Sequence, residues 1–337
     1  METLNITRDT LYEKGDIRIT DNAWTYAISL VDRFDDIPLN EKRIRITVSR
    51  NELMDMTHAP DEQPHILLPN DTDYEISYEA LFLGCRELVD ISSLRDWDMS
   101  KVSNTKYMFA CCTSLSDFSP IRDWDMSKVS NMSGMFMACF KLTDLTAFSR
   151  WKLSACVDTT MMFSGCCRLT TLHGLDSWQT SMITSMSGMF ADCYYLNDIS
   201  GVRAWDVSNV EYMDAMFDSC NLTDLTALES WDVRNCVNMD VMFRFNLGLY
   251  NVTSLSNWRF VKLETQKRIF HCCVLLGDDP LVHKWAPDCE VWILGYNPGE
   301  QINESEIQRY KIKCQLACIK EPLKYCMHMY SFSNMGL

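Results

Sequence analysis

The chain has 337 residues, 47% of them apolar, enough to bury a substantial core. Its formal net charge of -15 excludes a general nucleic-acid surface, which needs a basic footprint, and disfavours adsorption to anionic membranes. Glycine and proline are too sparse for a collagen-like or low-complexity chain, and no stretch approaches the roughly 18 apolar residues of a spanning helix.

Met1 to Thr10 is polar and mixed in charge, with no basic flank leading into an apolar run. A chain without a secretory leader, kept in the cytoplasm, is therefore expected. Residues 1–76 read as an N-terminal capping region. Within it the pattern predicts an extended segment at 16–20, a helix at 22–34 and a strand at 42–49. Pro60, Pro64 and Pro69 then punctuate a loop.

From residue 77 a single period takes over. Trp97, Trp124, Trp151, Trp178, Trp205, Trp231, Trp258 and Trp285 are spaced 27, 27, 27, 27, 26, 27 and 27 residues apart. Phe109, Phe136, Phe163, Phe190, Phe217, Phe243 and Phe270 each follow a tryptophan by 12 residues, and Phe82 extends the series upstream. So regular a period predicts stacked repeats rather than one closed core. The fold class expected is an α/β, leucine-rich-repeat-like solenoid of about seven to eight coils over 77–285.

In the unit beginning at Trp124, Met132, Met135, Phe136 and Cys139 stand at i, i+3, i+4 and i+7, which predicts a short helix capped by Asn131. Asn104, Asp158, Ser185 and Asn238 fill the same cap slot, with Tyr212 the exception. Leu142, Leu145 and Phe148 match the short strand and turn of a leucine-rich repeat, and 125–129 alternates as a second strand would. The lone 26-residue interval comes from one residue missing beside Asn221, in the turn after the cysteine.

The chain has 16 cysteines. Cys85, Cys112, Cys139, Cys166, Cys193, Cys220 and Cys273 each lie three residues after a ladder phenylalanine. Cys156 and Cys236 fill a slot that holds valine, isoleucine or leucine elsewhere, so cysteine behaves as a small hydrophobe. Reduced, buried thiols are expected, with bridging between adjacent rungs as the alternative.

Residues 286–337 read as a C-terminal capping region: a strand at 290–294, a turn at Asn297-Pro298-Gly299 and a helix at 304–319 capped by Asn303. Cys314, Cys318, Cys326 and His328 match no common zinc spacing. His271, Cys272, Cys273, His283 and Cys289 form a weaker set, since Cys273 belongs to the cysteine ladder. No phosphate loop, nucleophile elbow, HExxH or dinucleotide-binding motif occurs. No enzyme, cofactor or resident metal is expected.

The best surface candidate is an acidic column. Asp90, Asp117, Asp144, Asp198 and Asp224 share one position, with Thr171 as the odd member. Outward-facing carboxylates about 5 Å apart repel, and a basic partner relieves that cost. The competing reading is that each aspartate accepts a local turn amide. A second series, Asp98, Asp125, Asp206 and Asp232, reads as turn-forming. The expected role is a non-enzymatic scaffold that recognises a macromolecular partner, a protein, through one repeated face.

The strings WDMSKVSNMSGMF at Trp124, WDVSNVEYMDAMF at Trp205 and WDVRNCVNMDVMF at Trp231 carry a resemblance. They resemble the bacterial surface-protein repeats grouped as BspA-like leucine-rich repeats, over about residues 78–285. That resemblance implies a non-enzymatic binding or adhesion protein, often exported and attached to the cell surface. A surface adhesin or spacer is thus the alternative to the scaffold, and a small metal-binding or enzymatic C-terminal module is the remaining one.

Overall fold

The computed structural model describes residues 2–6, 16–20, 26–30, 44–49, 56–60, 63, 74–273, 275–276 and 280–285. The expected elements after residue 285, with Cys289, Cys314, Cys318, Cys326 and His328, lie outside the described residues.

Among the described residues six strands stand at the start: β1 (Glu2–Ile6), β2 (Asp16–Thr20), β3 (Tyr26–Leu30), β4 (Ile44–Ser49), β5 (Tyr74–Ser77) and β6 (Val102–Asn104). Their pairings are parallel. β1 pairs with β3, and the other four stand in the order β2-β4-β5-β6. The helix expected at 22–34 is replaced over Tyr26–Leu30 by β3, whose alternating Tyr-Ala-Ile-Ser-Leu pairs in register with β1. The expected boundary at residue 76 falls inside β5, which bonds to β4 on one side and β6 on the other.

β6 is continued by one residue per repeat. Parallel bridges link Asn104, Asn131, Asp158, Ser185, Tyr212, Asn238 and Thr265 in sequence. These are the spacings of the tryptophan series, so consecutive repeats stack in register. The phenylalanine rings follow suit. Phe82, Phe109, Phe136, Phe163, Phe190, Phe217, Phe243 and Phe270 form a column with neighbouring centroids 5.2–6.0 Å apart. All eight are buried in one core that runs the length of the array. The result is a mixed repeat fold that does not close on itself.

The ring spacing overturns the helix expected at Met132–Cys139. An α-helix is about 10–12 Å across and keeps its hydrogen bonds to itself, so it cannot occupy a layer half that thick. The segment instead forms overlapping β-turns. The N–H groups of Met135, Met137 and Cys139 donate to the carbonyls of Met132, Gly134 and Phe136, at 3.0–3.1 Å. The alternate N–H groups, on Gly134, Phe136 and Ala138, donate to Thr160, Met162 and Ser164 of the next repeat, at 2.7–2.9 Å. Turns that open every second residue, at Met132, Gly134 and Phe136, put Met132, Met135, Phe136 and Cys139 into the long core and so mimic the apolar spacing of a helix. The pattern requires two left-handed residues per repeat, here Gly134 (φ 61°) and Ala138 (φ 57°). At Gly134 an added Cβ would collide with the Tyr107 ring.

The strand expected across Leu142 to Leu145 is also absent. Short 3-10 turns follow it, at Ser119–Ile121, Thr146–Phe148, Ser200–Val202 and Thr226–Leu228. The second strand expected at 125–129 is a turn, closed by the Val129 N–H on the Met126 carbonyl at 3.1 Å. In both places an aspartate side chain takes an amide that a strand would have sent to its neighbour.

Candidate functional site

Two kinds of polar residue are set by the repeat: a solvent-facing aspartate column and buried donors that tie each rung to the last. The buried set fixes the spacing of the column.

From Trp124 to Trp258 the ladder indole N–H groups reach one repeat and three residues back. Trp124 Nε1 donates to the Leu94 carbonyl at 2.8 Å, and Trp151, Trp178, Trp205 and Trp258 repeat the contact on Ile121, Phe148, Leu175 and Leu228. The ladder cysteines do the same. The thiols of Cys112, Cys139, Cys166, Cys193, Cys220 and Cys273 donate to Phe82, Phe109, Phe136, Phe163, Phe190 and Phe243, at 3.0–3.3 Å. They are free, buried thiols. Burial pushes the Cys112, Cys139, Cys166, Cys193 and Cys220 thiols far above the ordinary range, so they stay protonated. Their role as donors corrects the small-hydrophobe reading for this ladder.

Asn246 decides the point. It fills the cysteine slot after Phe243, and its Nδ2 donates to the Phe217 carbonyl at 2.8 Å. Its Oδ1 accepts the Leu222 N–H at 3.0 Å. Elsewhere the equivalent leucine amide closes a turn on the cysteine carbonyl, as Leu142 does on Cys139 at 3.0 Å. The residue missing beside Asn221 makes that closure impossible for Leu222, and Asn246 supplies the acceptor. The break in the cysteine series was the only sign of this in the sequence.

The aspartate column lies at the start of the 3-10 turns. Asp117, Asp144 and Asp224 are exposed, and Asp90 and Asp198 are half-buried. Each spends Oδ1 on the amide two residues on: Ser92, Ser119, Thr146, Ser200 and Thr226, at 2.8–2.9 Å. Asn251 does the same for Thr253 at 2.8 Å. These bonds start the 3-10 turns, so every member has a local structural role. The Ser92 amide and then its hydroxyl hold Asp90 below the usual carboxylate range. The Thr226 hydroxyl and amide lower Asp224. At Asp198 burial pushes upward, but the Ser200 amide and hydroxyl, Thr171 and His173 outweigh it. These three carboxylates stay ionised at neutral pH. In the second series Asp98, Asp125, Asp206 and Asp232 accept the N–H groups of Ser100, Ser127, Ser208 and Arg234, at 2.8–3.2 Å.

Sequence reasoning missed one buried ion pair. Asp218 is paired with Arg244, one repeat on, with Arg244 Nε donating to Asp218 Oδ1 at 3.0 Å. Burial pushes the Asp218 carboxyl up to about 6, against the pull of Arg244. Among the described residues no group of three or more His, Cys, Asp or Glu side chains is placed to hold a metal ion. None of the described helices is long and apolar enough to cross a membrane.

The family described as Mycoplasma protein of unknown function, DUF285, matches residues 76–199 and again 168–285. The chain belongs to this family. The two DUF285 matches overlap within the array and together take in most of the chain, as a repeated unit should. They are consistent with the resemblance to BspA-like repeats. No curated protein matches the chain.

Proposed function

We propose that this protein is a leucine-rich-repeat-like solenoid of about seven to eight coils that serves as a non-enzymatic binding scaffold for a protein partner. The observation that supports this most is the aspartate column: one carboxylate position, repeated in register along the array, facing solvent in a chain of net charge -15. A row of solvent-facing like charges favours a basic or amide-rich partner, bound through several weak contacts at once. Because Oδ1 already starts a turn, the charge can be removed without removing the turn.

The test uses that separation. The triple variant Asp117→Asn, Asp144→Asn, Asp198→Asn keeps an acceptor at each Oδ1 and removes three charges. We expect its melting temperature to stay near that of the parent while capture of the partner from native-host extract becomes weaker and less salt-sensitive. Unchanged capture with lowered stability would assign the column to structure alone. The second reading, a cell-surface adhesin or spacer, draws on the resemblance to BspA-like repeats. Fractionation of the native host separates it from an intracellular scaffold.

A further inference from the structure

We propose that the face carrying Val157, Met182 and Tyr212 is a docking surface for a basic, amphipathic segment of another protein. It is separate from the aspartate column: in the chain the Trp151 corner lies between Asp144 and Val157. The repeat supplies its own control. A solvent-facing slot recurs once per rung, so a residue that departs from its equivalents there answers no demand of the core. Val157, Met182 and Tyr212 stand in three consecutive rungs and are 38%, 52% and 43% exposed. Parallel bridges from Asp158 through Ser185 to Tyr212 join those rungs.

Each of the three gives up a hydrogen bond that the same slot makes elsewhere. In the slot of Val157, the hydroxyls of Ser130 and Thr184 donate to the carbonyls of Ser103 and Val157, at 3.1 and 3.2 Å. In the slot of Met182, the side-chain amides of Asn209 and Asn235 donate to the carbonyls of Ser181 and Ser208, at 2.8 and 2.6 Å. In the slot of Tyr212, Asn131 and Asn238 accept the N–H groups of Ser133 and Asp240, both at 2.9 Å. Valine and methionine carry no such donor, and the tyrosine hydroxyl stands at the far end of a ring, away from the amide two residues on. Apolar surface therefore meets water where a polar residue would serve the fold better, the mark of a surface kept for contact.

Charge names the occupant. In the outer rungs the slot of Met182 holds Lys101, Lys128 and Lys262, whereas Ala155, Met182 and Asn209 fill it beside the patch. Across 152–158, 179–187 and 206–214 the charged residues are Lys152 against Asp158, Asp206, Glu211 and Asp214. An apolar patch bordered by carboxylates complements apolar side chains flanked by lysine or arginine.

The test restores the repeat. In the triple variant Val157→Ser, Met182→Asn, Tyr212→Asn every new residue already stands in that slot in another rung, as Ser130, Asn209 and Asn131 do, and no charge changes. The probe is a fluorescein-labelled helical peptide of lysine and leucine, about 18 residues long, read by anisotropy against the full-length protein. The variant should bind it about tenfold more weakly than the parent, while its urea midpoint stays level or rises. A peptide with serine in place of leucine should bind both proteins equally. Equal binding of the lysine–leucine peptide to parent and variant, or none to the parent, overturns the proposal. A lowered midpoint does so too, by assigning the three side chains to the fold. Loss of peptide binding in Asp117→Asn, Asp144→Asn, Asp198→Asn, with the patch intact, overturns it in favour of the aspartate column. Capture of the parent by neutral phosphatidylcholine vesicles but not by the peptide overturns it in favour of a lipid contact.

Discussion

At the scale of single residues, Asn246 shows how a repeat absorbs an error. Shortening one unit by a residue orphans the Leu222 amide. The next unit answers with a side chain that is both acceptor and donor, in a slot where cysteine is only a donor. A buried amide left without an acceptor costs about 1–3 kcal/mol. Asn246→Ala should therefore destabilise the protein by at least that much in urea unfolding. Asn246→Cys should restore the bond to Phe217 and leave Leu222 unsatisfied. Inserting one residue after Asn221 should then rescue the cysteine variant. If the insertion gives no rescue, the pairing of deletion and asparagine is coincidence.

At the scale of the element, the columns make pH dependence legible. Asp218 titrates at about 6 in the folded chain, against 3.8 ordinarily. Between those values the folded state holds a proton that the unfolded state has lost, so stability falls as pH rises through that window. Asp90, Asp198 and Asp224 are shifted the other way, so the stability they contribute is lost only as pH falls below 3.8. Urea midpoints measured from pH 4 to pH 7 should drop in the parent and fall less in Asp218→Asn, where Asp214, also raised by burial, keeps part of the slope. A rising parent curve would mean that Arg244, not burial, governs the carboxylate. Much of this layout was readable in advance. The 27-residue register, the ring column and the aspartate column follow from identities at fixed intervals. The turn ladder was not readable, because Met132, Met135, Phe136 and Cys139 give overlapping turns and a helix the same apolar spacing. Nor were the thiol and indole bonds, or Asp218 on Arg244. Those contacts depend on how far one rung rises over the last, and no identity in the chain states that distance.

At the scale of the whole molecule, each repeat bonds mainly to its two neighbours, so stability is close to a sum of units and interfaces. Excising residues 124–150 should leave a folded array one rung shorter, with a modestly lower urea midpoint and the same fluorescence maximum from its buried tryptophans. Removing a stretch three residues shorter should lower the midpoint further, because the joint at the cut would carry three surplus residues that no neighbour pairs with. If both deletions behave alike, the columns are not what holds the array together. The thiol and indole bonds fix the joint between rungs rather than the number of rungs. A misaligned exchange between two neighbouring units of the gene thus adds or removes a complete rung and leaves both flanking joints chemically unchanged. Reach, and with it the number of carboxylates presented at once, becomes a heritable quantity that can drift among sister genes without any redesign of the interior.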